Sequence, residues 1–230
     1  MFEAIAAQPT TRTNLKDVVA ETVRTKIFAG TLAPGSRIDQ DQLAEELGVS
    51  RLPVREALIA LEQEGWVTSV PRQGAYVAVL TPNDVLDHYR IFGNVCALAA
   101  ERAAAELTSQ QLKTLASLAK AMKGNSTDAE KEQLNHQFHS IINRAGGSAR
   151  LLAAIRTLAI GIPARFFEFN SGWNHEIACR QHDQIVKALR QRDGELAAKL
   201  VLQHLTDGGE FAVQQLGSSG FWDRSLRVGV

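Results

Sequence analysis

Hydrophobic residues recur at helical spacing near the start of the chain, after about 13 residues without periodicity. An apolar stripe from Val18 to Ile27 predicts a first helix that ends at Gly30. A short second helix is predicted over 39–47, and Ser50 is placed to cap a third helix. Two short helices joined by a tight turn are typical of a helix-turn-helix.

Two runs of β-forming residues follow, at 66–70 and 75–79, and they flank a turn at 71–74. This pattern predicts a β-hairpin, which beside a helix-turn-helix forms a wing. A strong helix start comes next, with Thr81 as the cap and Pro82 at the first helical position. A second domain therefore begins at this point.

From residue 81 to residue 216 the pattern is helical and gives no strand signal. Six helices are predicted, near 82–107, 108–122, 127–144, 148–169, 174–191 and 194–216. We therefore predict a mainly α protein with an N-terminal winged helix-turn-helix domain and a C-terminal six-helix bundle. The predicted divisions are a flexible arm at 1–13, the winged domain at 14–80, the bundle at 81–216 and a tail at 217–230.

The composition is that of a globular protein, because 45% of the 230 residues are hydrophobic and the formal net charge is zero. The longest apolar stretches fall short of the roughly 20 residues that span a bilayer, so no membrane partner is predicted. The start of the chain lacks the pattern of a secretory signal, and Cys96 and Cys179 lack metal-like spacing. We therefore expect a cytoplasmic protein with reduced cysteines.

Two arginines mark the third predicted helix as a surface for reading double-stranded DNA. Arg51 and Arg55 are four residues apart, so they share one face near the helix N-terminus, opposite Val54 and Leu58. A guanidinium can bond O6 and N7 of guanine together, while the hydroxyl of Ser50 and the first N–H groups suit a phosphate. The alternative is a solvated face with Arg55 paired to a glutamate. Bulk charge does not decide between a DNA-reading surface and a solvated face, since residues 12–80 carry eight basic and nine acidic side chains.

Three histidines fall on the apolar faces of three different helices of the predicted bundle. These are His139, His182 and His204, and Asn135 lies one turn before His139 on the same side of its helix. Three imidazoles that enter one interior can hold a divalent metal ion with coordination positions left open. The alternative is that each histidine is a hydrogen-bonded core residue.

The first domain resembles the GntR family of bacterial regulators. The resemblance rests on Leu43-Ala44-Glu45-Glu46-Leu47-Gly48-Val49-Ser50-Arg51, on Pro53-Val54-Arg55-Glu56-Ala57-Leu58, and on the segments 27–30, 32–37, 61–65 and 72–75. It implies that Arg51 and Arg55 contact the major groove and that Gly74, at the wing tip, approaches the minor groove. It also implies a homodimer on an inverted-repeat operator, with one recognition helix for each half-site.

The second domain resembles the FCD ligand-binding domain of FadR-type GntR regulators, in its VanR-like subgroup. The matching segments are Phe138-His139, Gln181-His182 through Ile185, Ala188-Leu189, and Asp193 through Ala197 to His204-Leu205. The resemblance implies a metal site at His139, His182 and His204. The family places an aspartate where this chain has Asn135, a neutral oxygen donor, so a metal-free site stays an alternative. Zinc is the expected metal, with nickel or manganese as alternatives.

The same resemblance implies an effector that is a small organic acid, whose carboxylate occupies the open metal positions. Arg90 on the first bundle helix is the predicted charge partner of that carboxylate, by bidentate bonding. The alternative is that Arg90 is a surface residue. Arg165, beside Phe166 and Phe167, is a second predicted pocket residue.

These observations predict a repressor or activator of transcription whose DNA affinity changes when a metabolite binds the bundle. A purely structural metal ion is the first alternative. A metal-dependent hydrolase is the second, but the helix segment from His136 to His139 lacks the glutamate of a HExxH motif. We therefore do not expect an enzyme.

Overall fold

The structure is a computed structural model that describes residues 14–124, 127–160, 175–218 and 220–222. Within these residues the chain forms nine helices and one two-stranded sheet, so the predicted mainly α fold is confirmed. The chain divides into two compact units, at residues 1–78 and 79–230. None of the helices that the structure describes has the length and hydropathy of a membrane span.

The first unit is a winged helix-turn-helix. Its elements are α1 (Leu15–Phe28), α2 (Gln40–Leu47), α3 (Arg51–Gln63), β1 (Val67–Val70) and β2 (Gly74–Val77). The two strands are antiparallel, with Val67 opposite Val77 and Val70 opposite Gly74. Gly48 ends α2 in the left-handed conformation that a side chain rarely adopts, and this tight turn leads into α3.

A buried ion pair holds α1 against the end of α3. The side chain of Arg24 is 3% exposed, and its guanidinium donates to both carboxylate oxygens of Glu64, with an Nη2 to Oε2 distance of 2.8 Å. Its Nη1 also bonds Glu21 at 3.0 Å. A buried guanidinium that is bonded on two sides keeps one orientation, so this cluster fixes α3 relative to α1.

The second unit contains six helices, and three of them begin with a capping box. The helices are α4 (Pro82–Glu106), α5 (Ser109–Ala121), α6 (Asp128–Gly146), α7 (Ala149–Ile160), α8 (His175–Arg190) and α9 (Gly194–Ser218). The capping boxes lie at Thr81, Thr108 and Thr127, where a threonine hydroxyl and the side chain three residues later satisfy each other's backbone N–H groups. The predicted helix at 148–169 extends outside the described residues.

Small residues bring the long helix α4 close to its neighbours. Ala99 and Ala103 are fully buried, and a methyl group at Gly146 of α6 would lie 1.9 Å from the carbonyl oxygen of Ala99. Cys96 and Cys179 are buried free thiols, as predicted, and burial raises the pKa of Cys96 to about 12. These helices surround the interior in which the histidines lie.

Two adjacent glycines of α9 give a matched test of this packing. A methyl group at Gly209 would lie 2.7 Å from Cβ of Tyr89, whereas one at Gly208 would lie 3.5 Å from Cε1 of the same ring, an ordinary contact. We expect Gly209→Ala to lower the free energy of unfolding by about 1–3 kcal/mol through overpacking. Gly208→Ala keeps or raises it, because alanine favours the helix by about 1 kcal/mol. Urea unfolding of both variants measures the difference, and equal stabilities would contradict the contact between Tyr89 and Gly209.

Candidate functional site

The exposed face of α3 presents both predicted arginines to solvent. Arg51 is the first residue of the helix, with its side chain 74% exposed, and Arg55 is exposed one turn later. Val54 and Leu58 are buried on the opposite face. The buried face anchors the helix to the unit, so both arginines lie on the solvent-exposed face of α3.

Arg51 forms an ion pair with Asp41 of α2, with Nε 2.6 Å from Oδ1. Both side chains are more than half exposed, and such surface pairs contribute about 0–1 kcal/mol. The pair therefore leaves Arg51 available to a stronger partner such as a guanine or a phosphate. No ion pair joins Arg55 to another residue in the described part of the chain, so the predicted alternative of a glutamate partner has no support there.

Ser50 occupies the N-cap position of α3, but its side chain makes no capping hydrogen bond. The first N–H groups of a helix have no partner within the helix, and together with the helix dipole they attract anions. The start of α3 is therefore suited to a phosphate oxygen, with the hydroxyl of Ser50 free to add a hydrogen bond.

Gly74 begins the second strand of the wing with φ of 110°, a conformation that favours glycine. A methyl group there would lie 3.3 Å from Nε of Arg37. The exposed guanidinium of Arg37 therefore lies beside the wing, a cation that the sequence reasoning did not select. The cross-strand bridge between Arg37 and Tyr76 positions it, and this long-range pairing leaves no local signal in the sequence.

In the second unit, three helices bring the three predicted histidines together. His139 of α6, His182 of α8 and His204 of α9 each offer a ring nitrogen within 4.8 Å of the others. Their ring centroids are 4.6 to 5.4 Å apart. His182 and His204 are 2% and 5% exposed, and His139 is half-buried. We call these three residues the histidine cluster.

Several polar atoms of the cluster are buried without a hydrogen-bond partner among the described residues. They are Nε2 of His139, both ring nitrogens of His182 and Oδ1 of Asn135. Protein interiors rarely leave such atoms unpaired, since each costs about 1–3 kcal/mol. Imidazole nitrogens and an amide oxygen are ligands that divalent metals accept, and a cation bound here would take one nitrogen from each of the three rings. The residues present therefore fit a metal ion.

Burial also keeps the cluster in the protonation state that a metal requires. Burial lowers the pKa of His139 and of His182 well below the usual value, and the neighbouring imidazoles of the cluster lower both further. Burial lowers the pKa of His204 to about 4, against an opposing effect of Asp207. The three rings are thus neutral near pH 7, and a neutral imidazole offers a lone pair to a metal.

The two arginines predicted to line the effector pocket do not join the histidine cluster within the described residues. Arg90 is exposed on α4, and Arg165 lies outside the described residues, as does the predicted arm at 1–13. Tyr89, the neighbour of Arg90, is 4% exposed and points inward, with its hydroxyl buried and without a hydrogen-bond partner among the described residues. It packs against Gly208 of α9, one turn after His204.

Tyr89 was not singled out from the sequence. Burial, with a smaller effect of Glu132, raises its pKa, so the phenol remains a hydrogen-bond donor at neutral pH. The signal that could have identified it is its helical spacing with Gly93 and Cys96, which share the buried face of α4.

Two family models match the chain. The model described as bacterial regulatory proteins, gntR family, matches residues 15–77, and the FCD domain model matches residues 89–207. Together they span the winged unit and most of the bundle. The predicted resemblance to GntR regulators with an FCD domain is therefore confirmed.

Individual proteins agree with the family models. An uncharacterized HTH-type transcriptional regulator, YdhC of Bacillus subtilis (strain 168), is 31% identical over 183 residues, which are 77% of this chain and 82% of YdhC. The HTH-type transcriptional repressor RspR of Escherichia coli (strain K12) is 26% identical over 207 residues, or 87% of this chain and 90% of RspR.

A solved structure supports the same assignment. The crystal structure of a transcriptional regulator of the GntR family from Pseudomonas syringae pv. tomato str. DC3000 is 26% identical, with a TM-score of 0.54. The match covers 89% of this chain and 86% of that one. These relatives are regulators and not enzymes, as expected from the missing HExxH glutamate. The chain belongs to the GntR family of bacterial regulatory proteins, and it is a DNA-binding transcription regulator with an FCD domain.

Proposed function

We propose that this regulator binds an inverted-repeat operator as a homodimer, and that a small carboxylate bound at the histidine cluster changes its operator affinity. The observation that carries the proposal is the convergence of three imidazoles from α6, α8 and α9, in which buried ring nitrogens of His139 and His182 have no hydrogen-bond partner among the described residues. Such a group is costly unless something binds there. Because bacterial DNA lies in the cytoplasm, we also place its action there.

On the DNA side, the roles follow from position along α3. Arg55 and Arg51 contact the major groove, with the start of the helix and Ser50 on a phosphate. Gly74 lets the backbone of the wing approach the minor groove, where the adjacent guanidinium of Arg37 adds a cation. The two arginines determine the sequence that is read, and the phosphate contacts determine register.

A homodimer is supported by exposed apolar residues on α4. Ile91 and Leu98 are 55% and 48% exposed and lie seven residues apart, so they share one face of the helix. A second copy of the same helix, packed about a twofold axis, covers both patches at once. Light scattering of the purified protein checks this, with a mass of twice 25.1 kDa expected.

In the bundle, we propose that His139, His182, His204 and Asn135 hold a divalent metal ion. Zinc is the expected metal, and nickel and manganese are the alternatives. When bound, the metal supplies open coordination positions for a carboxylate. The ring of Tyr89 packs against Gly208, one turn after His204, and we propose that its buried hydroxyl donates to the same ligand. Arg90 contributes only if its exposed side chain turns toward the ligand, and it stays a predicted contact.

Each ligand of the proposed site comes from a helix of the bundle, and this provides the link to DNA. A carboxylate that draws α6, α8 and α9 together favours one arrangement of the bundle. In the homodimer that arrangement changes the fit of the two recognition helices to the two half-sites. Because the bundle has six helices within the described residues, we also propose that the chain belongs to the VanR-like subgroup.

Thermal unfolding tests the effector. We expect zinc alone to raise the melting temperature, and a matching carboxylate to raise it further only when zinc is present. A ligand at about 100 times its Kd adds about 2.7 kcal/mol of stability. Tyr89→Phe keeps the ring but removes the hydroxyl, so we expect it to retain the zinc effect and lose part of the carboxylate effect. A zinc effect without any carboxylate effect would favour a structural metal and contradict the sensing role.

A further inference from the structure

Three polar side chains form a hydrogen-bonded chain behind the histidine cluster. Nδ1 of His204 lies 2.9 Å from Oε1 of Gln181, across the contact between α9 and α8. Nε2 of the same Gln181 donates to Oδ2 of Asp207, one turn further along α9. The other oxygen of Asp207 accepts from the exposed side chain of Gln203.

The direction of each bond in this chain follows from the chemistry of the groups. A carboxylate can only accept, so the amide of Gln181 must turn its NH2 group toward Asp207. The amide oxygen then faces His204, and an oxygen can only accept. Nδ1 of His204 must therefore carry the proton and donate it to that oxygen. In a neutral imidazole the other nitrogen, Nε2, is then left with a bare lone pair.

The other two histidines of the cluster have fewer hydrogen bonds to their ring nitrogens within the described residues. Both ring nitrogens of His182 and Nε2 of His139 lack a hydrogen-bond partner there. Packing holds the ring of His182, but no hydrogen bond among the described residues fixes its tautomer, whereas the tautomer of His204 is fixed without a metal. The chain through Gln181 thus prepares one ligand before the metal arrives.

We propose that Gln181 and Asp207 are positioning residues of the metal site, which hold His204 in the tautomer that presents Nε2 to the metal. The expected effect on metal affinity rests on the proposed metal site, whereas the tautomer is a property of the metal-free protein. Partners that orient a metal-bound histidine in this way typically contribute about 10- to 100-fold to metal affinity.

Two measurements on the full-length protein test the proposal. The first is zinc affinity by competition with a chelating dye, for the wild type, Gln181→Leu and Asp207→Asn. We expect Gln181→Leu to weaken zinc binding about 10- to 100-fold. Asp207→Asn should have a smaller effect in the same direction, because its amide no longer fixes the orientation of Gln181. Gln203→Leu is the matched control, since it leaves the bond between Gln181 and His204 intact, and we expect it to bind zinc as the wild type does.

The second measurement is the tautomer of His204, from ¹⁵N shifts of histidine-labelled protein kept in chelator. The wild type should show the Nδ1–H form, and Gln181→Leu should lose it. Unchanged zinc affinity, or weaker affinity with an unchanged tautomer, would overturn the positioning role. If the wild type binds no zinc, the proposed metal site fails while the tautomer still decides the role of Gln181. Melting curves show whether each variant is folded. If Gln181→Leu does not fold, the zinc affinity and the tautomer are compared between the wild type and Asp207→Asn.

Discussion

Replacing Arg55 by alanine should weaken operator binding about 10- to 100-fold while leaving the fold and the homodimer intact. A bidentate contact from arginine to a guanine edge contributes about 1–3 kcal/mol of discrimination, and truncation removes both hydrogen bonds. Arg55 is exposed on α3 and makes no ion pair with another described residue, so its loss disturbs little else in the protein. Fluorescence anisotropy on an operator selected from genomic fragments measures the change.

The matched control for this prediction is Arg150→Ala. Arg150 is exposed near the start of α7, in the other unit, so the variant removes the same charge without changing α3. We expect its operator affinity to stay within about twofold of the wild type, because the variant leaves every proposed DNA contact in place. Equal losses in both variants would mean that Arg55 acts only through bulk charge. Unchanged affinity in Arg55→Ala would remove Arg55 from the reading face.

The second large effect is the loss of metal from the variant that carries both His182→Ala and His204→Ala. The wild type, purified without chelator, should contain about one divalent metal ion per chain by mass spectrometry, since three neutral imidazoles converge in the bundle. The double variant should contain none, because a single imidazole and Asn135 cannot hold the ion. Added zinc should then raise the melting temperature of the wild type and not that of the variant.

His136→Ala is the control for this experiment. His136 lies on the same helix as His139 but is exposed, so it should keep the full metal content. Asn135→Asp replaces the neutral oxygen donor by a charged one and should bind zinc more tightly, because carboxylate ligands are stronger for a divalent cation. A wild type that takes up no zinc, nickel or manganese would contradict the metal site.

The helices and their inward faces could be predicted from the sequence because both depend on local patterns. Threonine caps at Thr81 and Thr108 define where α4 and α5 begin, and helical periodicity alone placed His182 and His204 on buried faces. Two runs of β-forming residues on either side of the turn at 71–74 likewise predicted the wing.

Contacts between helices could not be predicted in this way. Gln181 meets Asp207 and His204 only because α8 packs on α9, and the pair of Arg51 with Asp41 depends on the angle between α2 and α3. Adjacent residues on a helix point about 100° apart, so a small difference in helix phase decides which of Tyr89 and Arg90 faces inward. Packing buries Tyr89 and leaves Arg90 exposed, and the contact between Arg90 and a carboxylate stays a prediction.

Regulation through the histidine cluster is tested by measuring the operator affinity of the wild type and of the double histidine variant. Each protein is measured with and without the stabilising carboxylate, at a fixed zinc concentration and ionic strength. We predict that the carboxylate changes the operator Kd of the wild type by at least about fivefold, the lower range of known couplings between sites, and leaves that of the variant unchanged. Equal operator affinity of the wild type with and without the carboxylate would contradict regulation through the histidine cluster.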